Sequence, residues 1–542
     1  MIKNKKIFVC FLIMLLGFLV FMQFQRDWGI EADDYAVIYS SNIKSFKQLK
    51  NIFMIKDFRA MAFPCNYKND NLSIFNSYYR PFSLVFMSLQ VKLFNKTPSG
   101  YFIIIVIFHV LNAILFFLLA SRFLSIIFSL LGSLFFLFHI SLGPWFGWIA
   151  TQNYMIALFF CLLSLHFFFG YLKSKKIVQL VLSNIFFFIA LLTFEIVLFF
   201  PFLLLNLFFI DGLFNNGFTY SVDKFLNYIK KIFSFFILEF VYLLFRIHLM
   251  DNDSYCSIFC ILYKNCVSFT KHAYPTLATF LFEYINMPFI PSNNFYWKFF
   301  LLSLFIFGMF YSFLRSKYKK NIILFFIFFV AACWPIFLNG YRSRYTYFGL
   351  PLFIIFVYLL TIPYFEKYKK FSFSLVILIC FFNIYYNVVI LNKRSLNNRN
   401  NYLIYKSFDC FLNDNKNILK SKNICFIAMP SFFVTSLSQF VLMNEYYQNI
   451  NVYYDTDTFI LFNKKLNKFS IYKNSDEFII CIEKNSNNSF LKLGDYFKMG
   501  TFYDTENKLL IERRYLLDFS YRNKNIAFIT WDYNKNKFRI LE

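Results

Sequence analysis

Two adjacent carboxylates, Asp33 and Asp34, lie in Gly29-Ile30-Glu31-Ala32-Asp33-Asp34-Tyr35, a few residues beyond an apolar run that ends near Phe24. A carboxylate at the end of a membrane helix can take a proton from an attacking hydroxyl, the work of a general base. The alternative is a pair that is merely solvated, and spacing does not choose between the two residues. A second group is cationic: Arg80, Arg342, Arg344, Lys393 and Arg394 fall beside the ends of apolar runs. A guanidinium presents two parallel N–H groups that match a pair of phosphate oxygens, whereas lysine brings charge without that geometry. Their alternative role is to snorkel towards lipid headgroups. Two further candidates for binding or orienting a substrate are Glu195, in the turn Thr193-Phe194-Glu195, and His272, which stands near Lys271 and Tyr274.

These residues need a scaffold, and composition names its class. The 542 residues are 59% hydrophobic with mean hydropathy +0.52, where soluble domains are roughly 45–50% apolar. A net charge of +26 would point to nucleic acid in a soluble protein. Here the Lys and Arg residues sit in short clusters between apolar runs, so membrane topology explains them and no nucleic-acid partner is implied. The 11 cysteines contain no CxxC pair, and Cys256, Cys260 and Cys266 are read as unpaired in preference to a disulfide or metal site.

Apolar runs long enough to cross a bilayer read as Ile7 to Phe24, Tyr101 to Ala120, Phe123 to Phe138, Tyr154 to Leu172, Ile177 to Leu192, Ile196 to Ile210 and Ile229 to Leu249. Trp297 to Leu314, Ile322 to Leu338, Phe348 to Tyr364 and Phe371 to Leu391 complete about eleven helices. The first lacks a small-residue cleavage site and reads as a retained helix. With the N-terminus in the cytoplasm, every second loop is basic: Arg122; Lys173 to Lys176; Lys230 and Lys231; Arg315 to Lys320; Lys367 to Lys370. That pattern is the positive-inside rule. It predicts an extracytoplasmic position for the Asp33-Asp34 loop (25–99), for the Glu195 turn, for residues 251–296 and for the C-terminus.

After Leu391 the composition shifts to Asn and Lys. A helix from Tyr402 to Leu412, a strand from Ile424 to Ala428, a helix from Ser431 to Tyr446 and short alternating runs at Tyr453 to Phe462, Phe478 to Ile482, Leu509 to Ile511 and Ala527 to Trp531 predict a small α/β domain over 392–542. The expected fold is thus a polytopic α-helical membrane protein, residues 1–391, followed by an extracytoplasmic α/β domain.

Asp33-Asp34 after the first helix, Arg80-Pro81, His109 followed by Asn112, Trp148-Ile149, Glu195 followed by Pro201, and Arg344-Tyr345 occur in that order. Together they resemble the GT-C glycosyltransferases, nearest to the protein O-mannosyltransferase superfamily, over residues 1–391. The resemblance implies a sugar donor linked to a polyprenyl phosphate and a reaction at the extracytoplasmic membrane face. It places the base on Asp33, adds weight to Arg80 and Arg344 as ligands of the donor phosphate, and matches Glu195 to an acidic position. The acceptor is a glycan, a lipid or a protein. In that branch the turn after the third helix often carries a carboxylate, whereas His139-Ile140-Ser141-Leu142-Gly143-Pro144-Trp145 has none. A divalent ion wants several oxygen ligands, so a metal-independent enzyme with no cofactor is expected, a poor site of Asp33, Asp34 and Glu195 being the alternative. His109 lies within a span, where a polar group faces other helices, and reads as a structural hydrogen-bonding residue. Competing classes are a polyprenol-linked polysaccharide polymerase or ligase and a transporter. Neither a broken helix nor a paired repeat is evident for the last.

Overall fold

A chain this apolar can satisfy its backbone N–H and C=O groups inside lipid only by forming helices or a closed barrel, and the computed structural model takes the helical route. It describes residues 2–29, 34, 37–38, 41, 43, 45–54, 80–122, 124–143, 145–201, 203–205, 222–249, 307, 311, 347–351, 353–355, 369–419, 422–426, 452–454, 469–474, 477–483, 500–506, 510–517, 526–532 and 537–541. The helices are α1 (Ile2–Phe21, continued by a 3₁₀ turn Met22–Asp27), α2 (Phe46–Met54), α3 (Pro81–Phe94), α4 (Pro98–Ala120), α5 (Ile126–Leu137), α6 (Gln152–Ser174), α7 (Ile177–Thr193), α8 (Val222–Leu249), α9 (Lys369–Asp414) and α10 (Lys416–Leu419). Among the described residues, Asn4–Gln25, Pro98–Ala120 and Ile149–Ser174 are long and apolar enough to cross a membrane, with shorter apolar helices beside them. The protein is an integral membrane protein.

Three features differ from the sequence reading. Helix α3 falls in what reads as an outer loop; its 14 residues make about 21 Å of helix at 1.5 Å per residue, too short to register as a span. The Ile196 to Ile210 run begins not as an α-helix but as a 3₁₀ segment, Glu195–Phe199. Phe371 to Leu391 and Tyr402 to Leu412, read as separate helices, are parts of α9, whose sequence contains no glycine or proline to stop it. The runs from Trp297 to Leu338, apart from Phe307 and Tyr311, the cluster Cys256, Cys260 and Cys266, and the Ser431 to Tyr446 segment lie outside the described residues.

The chain divides into two compact units. The first holds Met1–Trp28, Leu49–Ile55 and Asn76–Leu396; the second holds Gly29–Gln48, Lys56–Phe75 and Asn397–Glu542. The expected boundary at Leu391 therefore falls inside α9, and the segment carrying Asp34 groups with the C-terminal unit.

In the first unit, phenylalanine fills the core. Phe187 lies 5.0 Å from Phe200 and 5.5 Å from Phe235, which is also 5.7 Å from Phe168. Helix pairs in lipid gain from interhelical hydrogen bonds, and buried Ser164 and Ser183 give α6 and α7 a reciprocal pair: each Oγ donates to the other's carbonyl, at 2.8 and 2.7 Å. Helix α3 is fixed across the start of α6 by Ser83 with Asn153 and by Gln90 Nε2 donating to Gln152 Oε1 at 2.9 Å.

Contacts between helix ends sort the bundle into two faces. At one, Lys6 Nζ donates to Ser121 Oγ at 2.9 Å, joining the start of α1 to the end of α4. At the other, Trp28 Nε1 donates to Gly147 O at 3.0 Å, in the turn that follows α5. Arg394 donates to Gly143 O at 3.3 Å in that turn, with its guanidinium 5.9 Å from the Trp28 ring. Helix α5 thus leads from the Ser121 face to the Gly147 face.

In the second unit, β1 (Asn423–Phe426), β2 (Val452–Tyr454), β7 (Ile526–Asp532) and β8 (Lys537–Leu541) form one sheet in the order β2-β1-β7-β8. Strand β1 runs parallel to β2 and β7, and β7 antiparallel to β8. The strands β3 (Phe469–Asn474), β4 (Glu477–Glu483), β5 (Gly500–Glu506) and β6 (Leu510–Leu517) make an antiparallel sheet, β3-β4-β6-β5. Phe408 of α9 packs 4.5 Å from Phe538 of β8.

Candidate functional site

Arg80 and Glu195 meet although 115 residues separate them: Nε donates to Oε2 at 2.8 Å and Nη2 to Oε1 at 2.5 Å. This is the two-bond fork geometry that makes guanidinium–carboxylate pairs strong and directional. Both side chains are about one-fifth exposed, at 21%. Local sequence sets each partner. Arg80 is the residue before α3, and Pro81 at the first helical position fixes where that helix begins. Phe194 ends α7 in extended backbone (φ −160°, ψ 126°), which swings the chain so that Glu195 opens the 3₁₀ segment.

The guanidinium also lies over an aromatic face. Arg80 Cζ is 4.3 Å from the centroid of Phe194, within cation–π range. Phe194 is in turn 4.4 Å from Tyr154, and Tyr154 is 6.0 Å from Trp145. This chain of rings connects the Arg80–Glu195 pair to the turn that contains Gly143 and Gly147, so the pair sits at that same face of the bundle.

Beneath that face, His109 and Asn112 converge on Tyr347. His109 Nε2 lies 2.8 Å from Leu137 O and Nδ1 lies 2.9 Å from Tyr347 Oη. A carbonyl can only accept, so Nε2 carries the proton and Tyr347 donates to Nδ1. Asn112 Nδ2 completes the network by donating to Tyr347 Oη at 2.9 Å and to Met155 O at 2.8 Å. All three residues are fully buried. The structural role expected for His109 is the one seen, and Tyr347, which sequence reasoning passed over in favour of Arg344-Tyr345, is its partner. The signal lay three residues beyond Arg344, as a tyrosine opening an apolar run.

Asp34 is fully buried, in the second unit. Taking a carboxylate out of water is costly unless it is compensated. Gly29 opens the same segment. A Cβ there would stand 2.0 Å from Asn398 O and 2.8 Å from Tyr402 Cβ, so only glycine lets this segment lie directly on the C-terminal half of α9. Asp33, Arg344 and His272 lie outside the described residues. Arg394, for which snorkelling towards headgroups is the alternative role, bonds the Gly143 carbonyl. Among the described residues no three His, Cys, Asp or Glu side chains come together as they would to hold a metal ion.

The class that these features define is an integral membrane protein built on a Phe-rich helical bundle, with an arginine–carboxylate fork at one face. No protein-family model matches the chain, and no curated protein matches it. Among solved structures it is similar to the archaeal oligosaccharyltransferase AglB from Archaeoglobus fulgidus in complex with an inhibitory peptide and a dolichol-phosphate. That match has 13% identity and a TM-score of 0.42, covering 73% of this chain and 56% of that one. The apo form of the A. fulgidus oligosaccharyltransferase gives 13% and 0.41 over the same shares. ArnT from Cupriavidus metallidurans bound to undecaprenyl phosphate gives 9% and 0.38, covering 93% of this chain and 97% of that one. The chain thus spans little more than half the length of the oligosaccharyltransferases. At these TM-scores the likenesses give no residue of this chain a role, and the functional reading is carried by its own side chains.

Proposed function

We propose that this protein is a membrane glycosyltransferase that moves a sugar from a polyprenyl-phosphate donor to a hydroxyl of an envelope acceptor at the extracytoplasmic face, with inversion. The observation that carries the reading is the Arg80–Glu195 fork, which joins two residues of separate GT-C-like motifs at helix ends on one face of the bundle. Donor chemistry needs a cation at that position: as the bond from the anomeric carbon to the phosphate oxygen breaks, the leaving phosphate takes the electron pair, and guanidinium groups stabilise that charge. In this reading Arg80 and Arg344 bind the donor phosphate, and Glu195 orients Arg80. Asp33 or Asp34 removes the proton from the acceptor hydroxyl as the new glycosidic bond forms, and His272 contacts substrate. No step is routed through a metal. The basic loops support about eleven spans, a cytoplasmic N-terminus and an extracytoplasmic α/β unit at the C-terminus.

The test is mass spectrometry of envelope glycans and glycolipids from cells that lack the chain, carry it, or carry Asp33→Asn or Asp34→Asn at equal abundance. One glycosylated species should vanish without the chain, return with the wild type and stay depleted with at least one Asp variant. Identical profiles with and without the chain, or full restoration by both variants, would overturn the reading.

A further inference from the structure

The face opposite the Arg80–Glu195 fork carries a cationic corner that the transfer reaction does not use. Lys6 Nζ donates to Ser121 Oγ, and the next residue, Arg122, extends its guanidinium to His166. His166 Nε2 lies 2.9 Å from Leu115 O and must be the donor there, so Nδ1 is the acceptor that Arg122 Nη2 approaches at 3.4 Å. The Arg122 guanidinium also lies 5.0 Å from the Phe169 ring centroid. It is therefore anchored by neutral groups, and among the described residues no carboxylate joins it in these contacts.

Beside this corner an open cleft of about 460 Å³ runs between the start of α1 and the start of α5, lined by Asn4, Lys5, Phe8, Val9 and Ile126. Its rim is polar and basic and its walls are apolar. Ile7, Phe8 and Phe11 continue the apolar surface outward, each more than half exposed. Among the described residues no carboxylate lines the cleft or contacts Lys6 or Arg122 in these interactions. An aliphatic chain lying against Phe8, Val9 and Ile126 has its head beside Lys5, and Lys6 and Arg122 at the neighbouring helix ends add positive charge that favours a head with net negative charge.

We propose that this corner is a binding site for an anionic phospholipid, its phosphate at Lys5, Lys6 and Arg122 and its acyl chain along the cleft. The site is independent of the proposed transfer reaction. Each basic residue near an anionic membrane surface contributes about 1 kcal/mol, or about fivefold in affinity; a zwitterionic lipid gains none of it.

Native mass spectrometry of the full-length protein in detergent, titrated with phosphatidylglycerol or phosphatidylcholine, tests this. The wild type should retain phosphatidylglycerol in preference to phosphatidylcholine, by about 100-fold for three cations. Lys5→Gln and Arg122→Gln should each weaken phosphatidylglycerol binding by about fivefold and the double variant by about 25-fold, with phosphatidylcholine unchanged. Lys92→Gln with Lys96→Gln, in the last turn of α3 and in the segment that follows it, is the charge control and should bind as wild type. Equal retention of the two lipids by the wild type, an unchanged double variant, or an equal loss in the control would overturn the proposal. Lys5 is exposed, so Lys5→Gln carries the test alone if Arg122→Gln does not fold.

Discussion

Replacing Tyr347 by phenylalanine isolates the network that ties α4 to the helical residues 347–351. The ring is fully buried, and phenylalanine fills the same space, so the cost is that of the hydroxyl alone. That hydroxyl donates to His109 Nδ1 and accepts from Asn112 Nδ2, both at 2.9 Å. After the change Asn112 keeps its 2.8 Å bond to Met155 O, but His109 Nδ1 is left buried without its acceptor role fulfilled. In a water-exposed reference two lost bonds cost about 1 kcal/mol each, and an orphaned buried group costs about 1–3 kcal/mol. Interhelical bonds in bilayers average about 0.6 kcal/mol, which pulls the expected loss to about 1–3 kcal/mol. Replacing His109 by phenylalanine as well removes both ends of that bond. The double variant should then cost less than the sum of the singles, by about 1 kcal/mol. The measurement is unfolding of purified protein in mixed micelles, followed by far-ultraviolet circular dichroism. A Tyr347→Phe protein as stable as the wild type, or strict additivity in the cycle, would refute the assignment of this network as a polar clamp.

Four other outcomes follow from the same contacts. Glu195→Gln and Arg80→Lys should each lower sugar transfer by about 1–3 kcal/mol of charged hydrogen bonding, roughly 5- to 150-fold, and the double variant should do no worse than the poorer single; additive losses would mean that the two act separately. Asp33→Asn or Asp34→Asn should lower turnover by about 10²-fold or more as loss of a general base, while Glu239→Gln stays near wild type. Gly147→Ala combines a positive φ of +84° with a Cβ 2.0 Å from the Trp28 ring, so it should fail to accumulate as folded protein, whereas Gly132→Ala, with its nearest neighbour at 3.0 Å, should accumulate. Chelation of divalent cations should leave transfer unchanged, and reactivation by one added metal would contradict the metal-free reading.

Much of the bundle is legible because lipid is an unforgiving solvent: wherever it surrounds the chain, apolar residues must run at helix length, as they do at Pro98–Ala120 and Ile149–Ser174. Helix α3 was not legible, since a short apolar stretch beside a loop looks the same whether or not it packs on α6. The continuity of α9 was hidden for the opposite reason. Its Asn-, Lys- and Arg-rich half changes composition, and a change of composition reads as an end although nothing in the sequence breaks the helix.

The candidate site divides along the same line. Residue type and position relative to the spans were enough to single out Asp34, Arg80, Glu195 and His109, because a polar group beside or within an apolar run is conspicuous one residue at a time. Which of them meet was decided only in three dimensions. Arg80 finds Glu195 across 115 residues and His109 finds Tyr347 across 238, and Asp34, fully buried, belongs to a unit that joins Gly29–Gln48 to the C-terminal residues. Hydropathy and charge are local exchanges between a residue and its solvent, so one sequence determines them. A pairing across hundreds of residues depends on how the intervening helices pack, and only the tertiary structure supplies that.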